Sequence, residues 1–279
     1  MADITAALVA QLRAMTNVGM MQCKQALLET QGDLDAAVDI LRKRGIATAA
    51  KKAGREAKEG VIAQHILPGA RVGVLVEVNC ETDFVAKNDS FRAFSDEVAR
   101  TLAANPQADL EARRVQEVAK IGENIKISRN HRLEVTGVGM VAAYIHTGAK
   151  VGVLVEVGAD RESTVAHDDF KQFVRDITLQ VAAASPLTVS RDQIDPAILA
   201  KEREIAAEQV KNKPPQAIAK IVEGKLEKYF QTVCLVEQGF IKKNSEISVK
   251  EHMTALAKQL DDTLVIRRFI RYQVGEAIA

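Results

Sequence analysis

The sequence predicts an α+β protein. It reads as an N-terminal three-helix domain, a linker, and two duplicated α+β subdomains in which helices cover antiparallel sheets. An antiparallel coiled-coil hairpin interrupts the second subdomain. Three observations predict this. Apolar residues recur at helical spacing over residues 4–44. A nine-residue stretch, Ala70-Arg71-Val72-Gly73-Val74-Leu75-Val76-Glu77-Val78, returns 79 residues later as Ala149-Lys150-Val151-Gly152-Val153-Leu154-Val155-Glu156-Val157. A charged segment with a proline turn, 189–230, then breaks the second copy.

In the first domain (1–45), Ile4, Leu8 and Leu12 mark one helix, and a break falls at Thr16–Gly19. Met20, Cys23, Ala26 and Leu27 line a second helix, which Gly32 ends. Asp33 suits an N-cap, Asp35 sits in the first turn, and Arg42, Lys43 and Arg44 fill a last turn before Gly45. Leu34, Val38 and Leu41 face inward. So little apolar area makes a marginal domain, which reads as a small docking module. Residues 46–59 read as a helical or flexible linker around Gly54. Its basic run, Lys51, Lys52, Arg55 and Lys58, is either a solvated face or a phosphate contact.

The repeat extends to Gly60/Gly139, Ala63/Ala142 and Ile66/Ile145 upstream, and to Phe91/Phe170 and Phe94/Phe173 downstream. Each copy reads as a β-hairpin followed by an amphipathic helix, with Val-rich strands suited to a sheet covered on one face. The first core subdomain is 60–124. The second comprises 125–188 and 231–279, and gains an extra strand from Ile125 to Val135. Between them, 189–230 carries Ile198, Ile205, Ile218, Ile221 and Val222 among charges, divided by Lys213-Pro214-Pro215. Ser248-Val249-Lys250-Glu251 is a capping box. Leu264, Ile266, Ile270, Tyr272 and Val274 mark a final strand by period two.

Lys+Arg number 38 and Asp+Glu 37, so the net charge is +1, and aromatics are 4% with no Trp. That balance argues against stable nucleic-acid binding and against a base-stacking surface. Cys23, Cys80 and Cys234 form neither a disulfide framework nor a CxxC motif and read as reduced thiols. Met1-Ala2-Asp3-Ile4-Thr5 lacks the pattern of a secretory signal, and no run approaches the ~18 apolar residues of a membrane span. A cytoplasmic protein without membrane contact is expected.

Enzyme signatures are scarce. His65, His131, His146, His167 and His252 form no HExxH and pair with no Cys at zinc-ligand spacing. Neither GxSxG nor GxxxxGK[ST] occurs. Gly137-Val138-Gly139-Met140-Val141-Ala142 fits GxGxx[GA], but that fingerprint needs a following helix, and a strand follows here. The expectation is no enzyme, no cofactor, no metal and no direct nucleotide binding. His146, after the hairpin strand of copy two, is a surface histidine or a partner contact.

The two copies diverge after the repeated strand. Copy one continues Asn79-Cys80-Glu81-Thr82-Asp83-Phe84-Val85-Ala86-Lys87-Asn88, where copy two has Gly158-Ala159-Asp160-Arg161-Glu162-Ser163. On residues alone, two readings stand: Asp83 caps a helix and Phe84 packs on the sheet, or the segment faces a partner.

The stretch Glu77–Lys87 closely resembles the signature of the elongation factor Ts family. So does Leu12–Leu27, with Asn17 in place of a commoner Gly and Gln22 in place of a commoner acidic residue. The resemblance continues through Lys120-Ile121-Gly122-Glu123-Asn124-Ile125, Val222-Glu223-Gly224-Lys225 and Arg271-Tyr272-Gln273-Val274-Gly275-Glu276. It implies a ubiquitin-associated (UBA)-like N-terminal domain and a two-subdomain core with a coiled-coil insertion. It also implies a nucleotide-exchange role in translation elongation, with elongation factor Tu, GDP-bound and nucleotide-free, as partner. On this resemblance Leu12, Val18, Gly19, Met20 and Met21 dock on Tu. Thr82, Asp83, Phe84 and Val85 form the Mg²⁺-dislocation motif: Phe84 inserts between helices of the Tu G domain and Asp83 disturbs the Mg²⁺ site. The second half of the core reaches another part of Tu. The alternative is a ribosome- or RNA-associated binding module using Lys51, Lys52, Arg55 and the charged hairpin, which predicts steeply salt-dependent RNA binding. Ubiquitin recognition by residues 4–44 would rest on fold analogy alone.

Overall fold

The computed structural model describes residues 4–16 and 18–277. Asn17 and the first three residues, read above from the sequence, lie outside it. Helices α1 (Ala6–Thr16), α2 (Met20–Glu29) and α3 (Leu34–Lys52) close around Val9, Leu12, Cys23, Leu27 and Leu41. Gly32, at φ 91°, turns the chain after α2. Asp33 caps α3 by accepting from the Ala36 N–H at 3.0 Å.

The third helix does not stop at Gly45, as its sequence suggested, but continues to Lys52. Gly45 instead lies mid-helix, facing a neighbouring helix. A Cβ added there would lie 3.5 Å from the Ala119 Cβ and 3.7 Å from the Val115 Cγ1, both on α6 (Glu111–Ile121). The basic residues of the last turn are therefore Lys51 and Lys52, and Arg42–Arg44 lie mid-helix. Half of the segment read as a linker is helix, and its Ala49 is buried in the first core.

Strands β1 (Glu59–Ile66) and β2 (Val72–Cys80) form a hairpin, followed by α4 (Asp83–Ala86), α5 (Asp89–Ala104), α6 and β3 (Lys126–Glu134). β3 was expected in the second unit. It pairs with β2 instead, giving the order β1-β2-β3. Arg129 of β3 lies opposite Glu77 and bonds its carboxylate at 2.8 Å, while Ile125 and Ile127 pack in the first core. The second unit repeats this plan with β4 (Gly139–Ile145), β5 (Val151–Ala159), α7 (Glu162–Ala166), α8 (Asp168–Ala184), α11 (Val249–Gln259) and β6 (Leu264–Gln273). Its sheet runs β4-β5-β6. Ser248 and Glu251 make the capping box of α11.

Alternation along the central strands divides two faces. Val74, Val76 and Val78 meet Phe91, Phe94 and Val98 of α5. Val153, Val155 and Val157 meet Phe170, Phe173 and Ile177 of α8. On the opposite faces the two sheets pack together through Ile62, Leu75, Leu133, Val141 and Leu154. Gly73 and Gly152 permit that approach: a Cβ on Gly73 would lie 2.9 Å from the Leu154 Cδ1, and one on Gly152 3.0 Å from the Leu75 Cδ1. The contacts are reciprocal. The Ile62 N–H donates to the Ala149 carbonyl at 2.7 Å, and the Val141 N–H to the Ala70 carbonyl at 2.8 Å. The buried carboxylates repeat the pattern. Glu77 accepts from the Gly275 N–H, beyond β6, at 3.1 Å; Glu156 accepts from the Thr136 N–H, beyond β3, at 2.9 Å.

Helices α9 (Pro196–Glu208) and α10 (Pro215–Val233) lie between α8 and α11 in the chain and pack antiparallel to each other. Their core, Ala206, Val210, Val222, Leu226 and Phe230, is separate from both sheet cores. Among the described residues no helix is long and apolar enough to cross a membrane.

Candidate partner-binding site

Where β2 ends, Thr82 is extended (φ −124°, ψ 154°) and caps α4 by accepting from the Val85 N–H at 3.4 Å. Its hydroxyl donates to Glu123 Oε1 at 2.6 Å, and Glu123 Oε2 accepts from the N–H groups of Glu81 and Thr82, both at 3.0 Å. The Glu81 carboxylate in turn accepts from the Asn124 N–H at 2.6 Å and faces Arg55 at 3.4 Å. The Cys80 thiol donates to the Thr82 carbonyl at 3.2 Å. Burial is the main cause pushing that thiol up to about 12, so it stays protonated. The backbone entering α4 is thus fastened from several sides.

Phe84 emerges from this turn 80% exposed. Val85 is half-buried against the first core and Ala86 is buried. Asp83 pairs with Lys87, one turn on, at 2.6 Å. The hydrogen bond from Lys87 holds the Asp83 carboxyl below the usual carboxylate range. Both partners face solvent, so water and salt screen the pair.

Copy two builds the same turn. Asp262 stands where Glu123 does, and accepts from the N–H groups of Asp160 at 3.3 Å and Arg161 at 3.2 Å. The Thr164 hydroxyl also donates to it. Ser163 occupies the position of Phe84. The turn therefore forms without an aromatic, and nothing in the repeated scaffold needs Phe84.

The other predicted residues lie on different elements. Leu12 and Val18 are buried inside the three-helix module and present no surface to a partner in this conformation. Gly19 precedes α2 with open space around it. Met20 and Met21 are exposed, at 54% and 75%. Met15 is also exposed, a residue the sequence reading did not single out. The signal that could have found it is its place inside the Leu12–Leu27 motif. His146 sits in the β4–β5 turn, its Nδ1 2.9 Å from the Tyr144 hydroxyl.

Gly137 and Gly139, with positive φ, form a turn into β4. Three of the four basic residues of segment 46–59 have partners: Lys52 donates to the Gly122 carbonyl, Arg55 faces Glu81, and Lys58 meets Glu56 at 2.6 Å. Among the described residues no three His, Cys, Asp or Glu side chains cluster as metal ligands.

The family model described as "Elongation factor TS" matches residues 81–276. Relatives named elongation factor Ts include one from Symbiobacterium thermophilum, 44% identical over 100% of this chain and 94% of the relative. Another, from Chloroherpeton thalassium, is 43% identical over 99% of this chain and 100% of its own length. A third, from Clostridium novyi, is 38% identical over 99% and 94%. Glu81, Thr82, Phe84 and Glu123 all fall within the matched span, and the chain belongs to the elongation factor Ts family.

Proposed function

We propose that this protein is a guanine nucleotide exchange factor that binds GDP-bound elongation factor Tu and promotes GDP release during translation elongation. The observation that carries the reading is Phe84: a large apolar side chain, 80% exposed, on a fastened turn whose counterpart in copy two carries Ser163. On this reading the three-helix module (1–45) is a UBA-like docking domain that reaches Tu through Gly19, Met20 and Met21, supported from within by Leu12 and Val18. The α9–α10 hairpin (189–230) is a coiled-coil insertion, and His146 is a contact of the second core unit, the one built on β4, β5 and β6. The protein acts in the cytoplasm and binds neither nucleotide nor nucleic acid itself.

A GTPase holds GDP through backbone amides, a lysine and Mg²⁺ on the phosphates. An exchange factor needs no phosphate loop of its own. It must bind the nucleotide-free conformation more tightly than the GDP-bound one, and linkage then makes factor and nucleotide weaken each other equally. Thr82 and Val85 hold the turn. Phe84 enters the G domain of Tu between helices, and Asp83, released from Lys87, disturbs the Mg²⁺ site. Burying one Phe contributes ~1.5–3 kcal/mol, about one to two decades in an equilibrium constant; the docking surfaces supply the rest. Release of labelled GDP from purified Tu, with and without this protein, tests the reading. Acceleration is expected, and none at saturating protein would overturn it.

A further inference from the structure

We infer that Glu123 and Asn124 are positioning residues: they hold the Phe84 turn and tie it to the end of α3, so that turn and N-terminal module meet a partner as one body. The inference rests on the exchange reading above. Glu123 takes three hydrogen bonds from the turn, from two backbone N–H groups and the Thr82 hydroxyl. Asn124 continues the chain of contacts outward. Its backbone N–H meets Glu81 at 2.6 Å, and its buried side chain donates to the carbonyls of Arg55 at 2.8 Å and Ala53 at 3.4 Å, just past α3. Lys52, in the last turn of α3, reaches back to the Gly122 carbonyl.

Copy two shows what the fold alone requires. Asp262 reproduces the role of Glu123 on the equivalent turn. Thr263 stands where Asn124 does, and its N–H bonds only to the neighbouring Asp262, at 2.7 Å. Among the described residues, the extension to the helix that precedes the β-hairpin therefore exists only in the copy that bears Phe84; the Arg161 side chain in copy two instead reaches the Leu260 carbonyl at the end of α11. An aromatic on a loose turn must be ordered when it inserts, and a fastened one is ordered beforehand.

The test compares Glu123→Gln with its structural twin Asp262→Asn, reading melting temperature and Tu·GDP release over a range of protein concentrations. Similar falls in melting temperature are expected. Glu123→Gln lowers the maximal release rate about tenfold, the scale of one lost hydrogen bond to a charged group; Asp262→Asn leaves it unchanged. Asn124→Ala severs only the side-chain tie, and Ala53 and Arg55 are exposed enough for water to take their carbonyls. It should raise the half-saturating concentration about threefold to tenfold at an unchanged maximal rate, as one weakened hydrogen bond would. If Glu123→Gln melts below the assay temperature, Asn124→Ala carries the test. Equal release by the Glu123 and Asp262 variants would overturn the positioning role. Unchanged half-saturation in Asn124→Ala would overturn the tie to α3. A wild-type protein that fails to accelerate release would instead overturn the exchange reading itself.

Discussion

Phe84 projects into solvent from a turn where Thr82 is bonded to Glu123, Asp83 to Lys87, and Val85 rests on the core. Phe84→Ala should therefore keep the melting temperature of the parent, whereas truncating a core Phe such as Phe91 costs ~3–5 kcal/mol. The variant should still bind Tu but accelerate GDP release from it markedly less. A destabilised Phe84→Ala whose folded fraction promotes exchange at the normal rate would end the role of Phe84 as the inserted side chain. Asp83→Ala should give a smaller defect, and one that depends on Mg²⁺ concentration. Histidines give a second prediction at this scale. Burial, then the charge of Arg268, pulls His131 below its ordinary 6.5; burial, then Lys243, does the same to His252, which stacks on Phe240. The unfolded chain takes up these protons at about pH 6.5 and the folded protein does not. Their contribution to stability is thus full above that pH and is lost as pH falls below it. Melting followed from pH 7.5 to 5.5 should show the loss, and His131→Gln should reduce it. Sequence marked the Leu12–Leu27 and Thr82–Val85 stretches as functional. It did not separate Met20 and Met21, which face out, from Leu12 and Val18, which face in, because both kinds are apolar in one helical pattern.

Helix ends and strand partners were less legible than helix and strand identity. Asp33, Gly32 and the Ser248–Glu251 box act as their chemistry indicates. Gly45 preceded by Arg42, Lys43 and Arg44 resembles a C-terminal stop, yet the helix runs on through it and α6 crosses there. Local chemistry cannot distinguish the two uses. The added Cβ would make only ordinary contacts, so Gly45→Ala should stabilise the protein by ~0.5–1 kcal/mol through lower helix entropy cost, about 2 °C in Tm. A lower Tm would mean that α3 and α6 cannot part by even a methyl group. The Ile125–Val135 strand was legible as a strand, but its partner depended on Glu77, 52 residues upstream of Arg129. For the hairpin, a separate apolar core predicts independence. Replacing residues 194–228 with a short flexible linker should leave one cooperative thermal transition; a broad or lost transition would make the hairpin part of the core.

Across the whole molecule, the repeat revealed duplication but not how the copies face one another, since a constant offset carries no information about docking. The structure answers with crossed carboxylates: each buried Glu bonds arginine in its own sheet and a backbone N–H beyond the last strand of the other. Glu77→Ala or Glu156→Ala should cost ~3 kcal/mol, the low end for breaking a buried pair, because the arginines keep some contact with water. Both should melt in one transition, as the copies share that lock; two separate transitions would show them to be independent. The reciprocal bonds from Ile62 to Ala149 and from Val141 to Ala70 have the form of a two-fold interface, in which each surface meets its own copy. A chain bearing one such unit could close the same interface only with a second copy of itself. Carrying both units on one chain frees that pairing from any dependence on concentration. It also frees the two halves from having to be identical: one carries an exposed phenylalanine and the other a helical insertion.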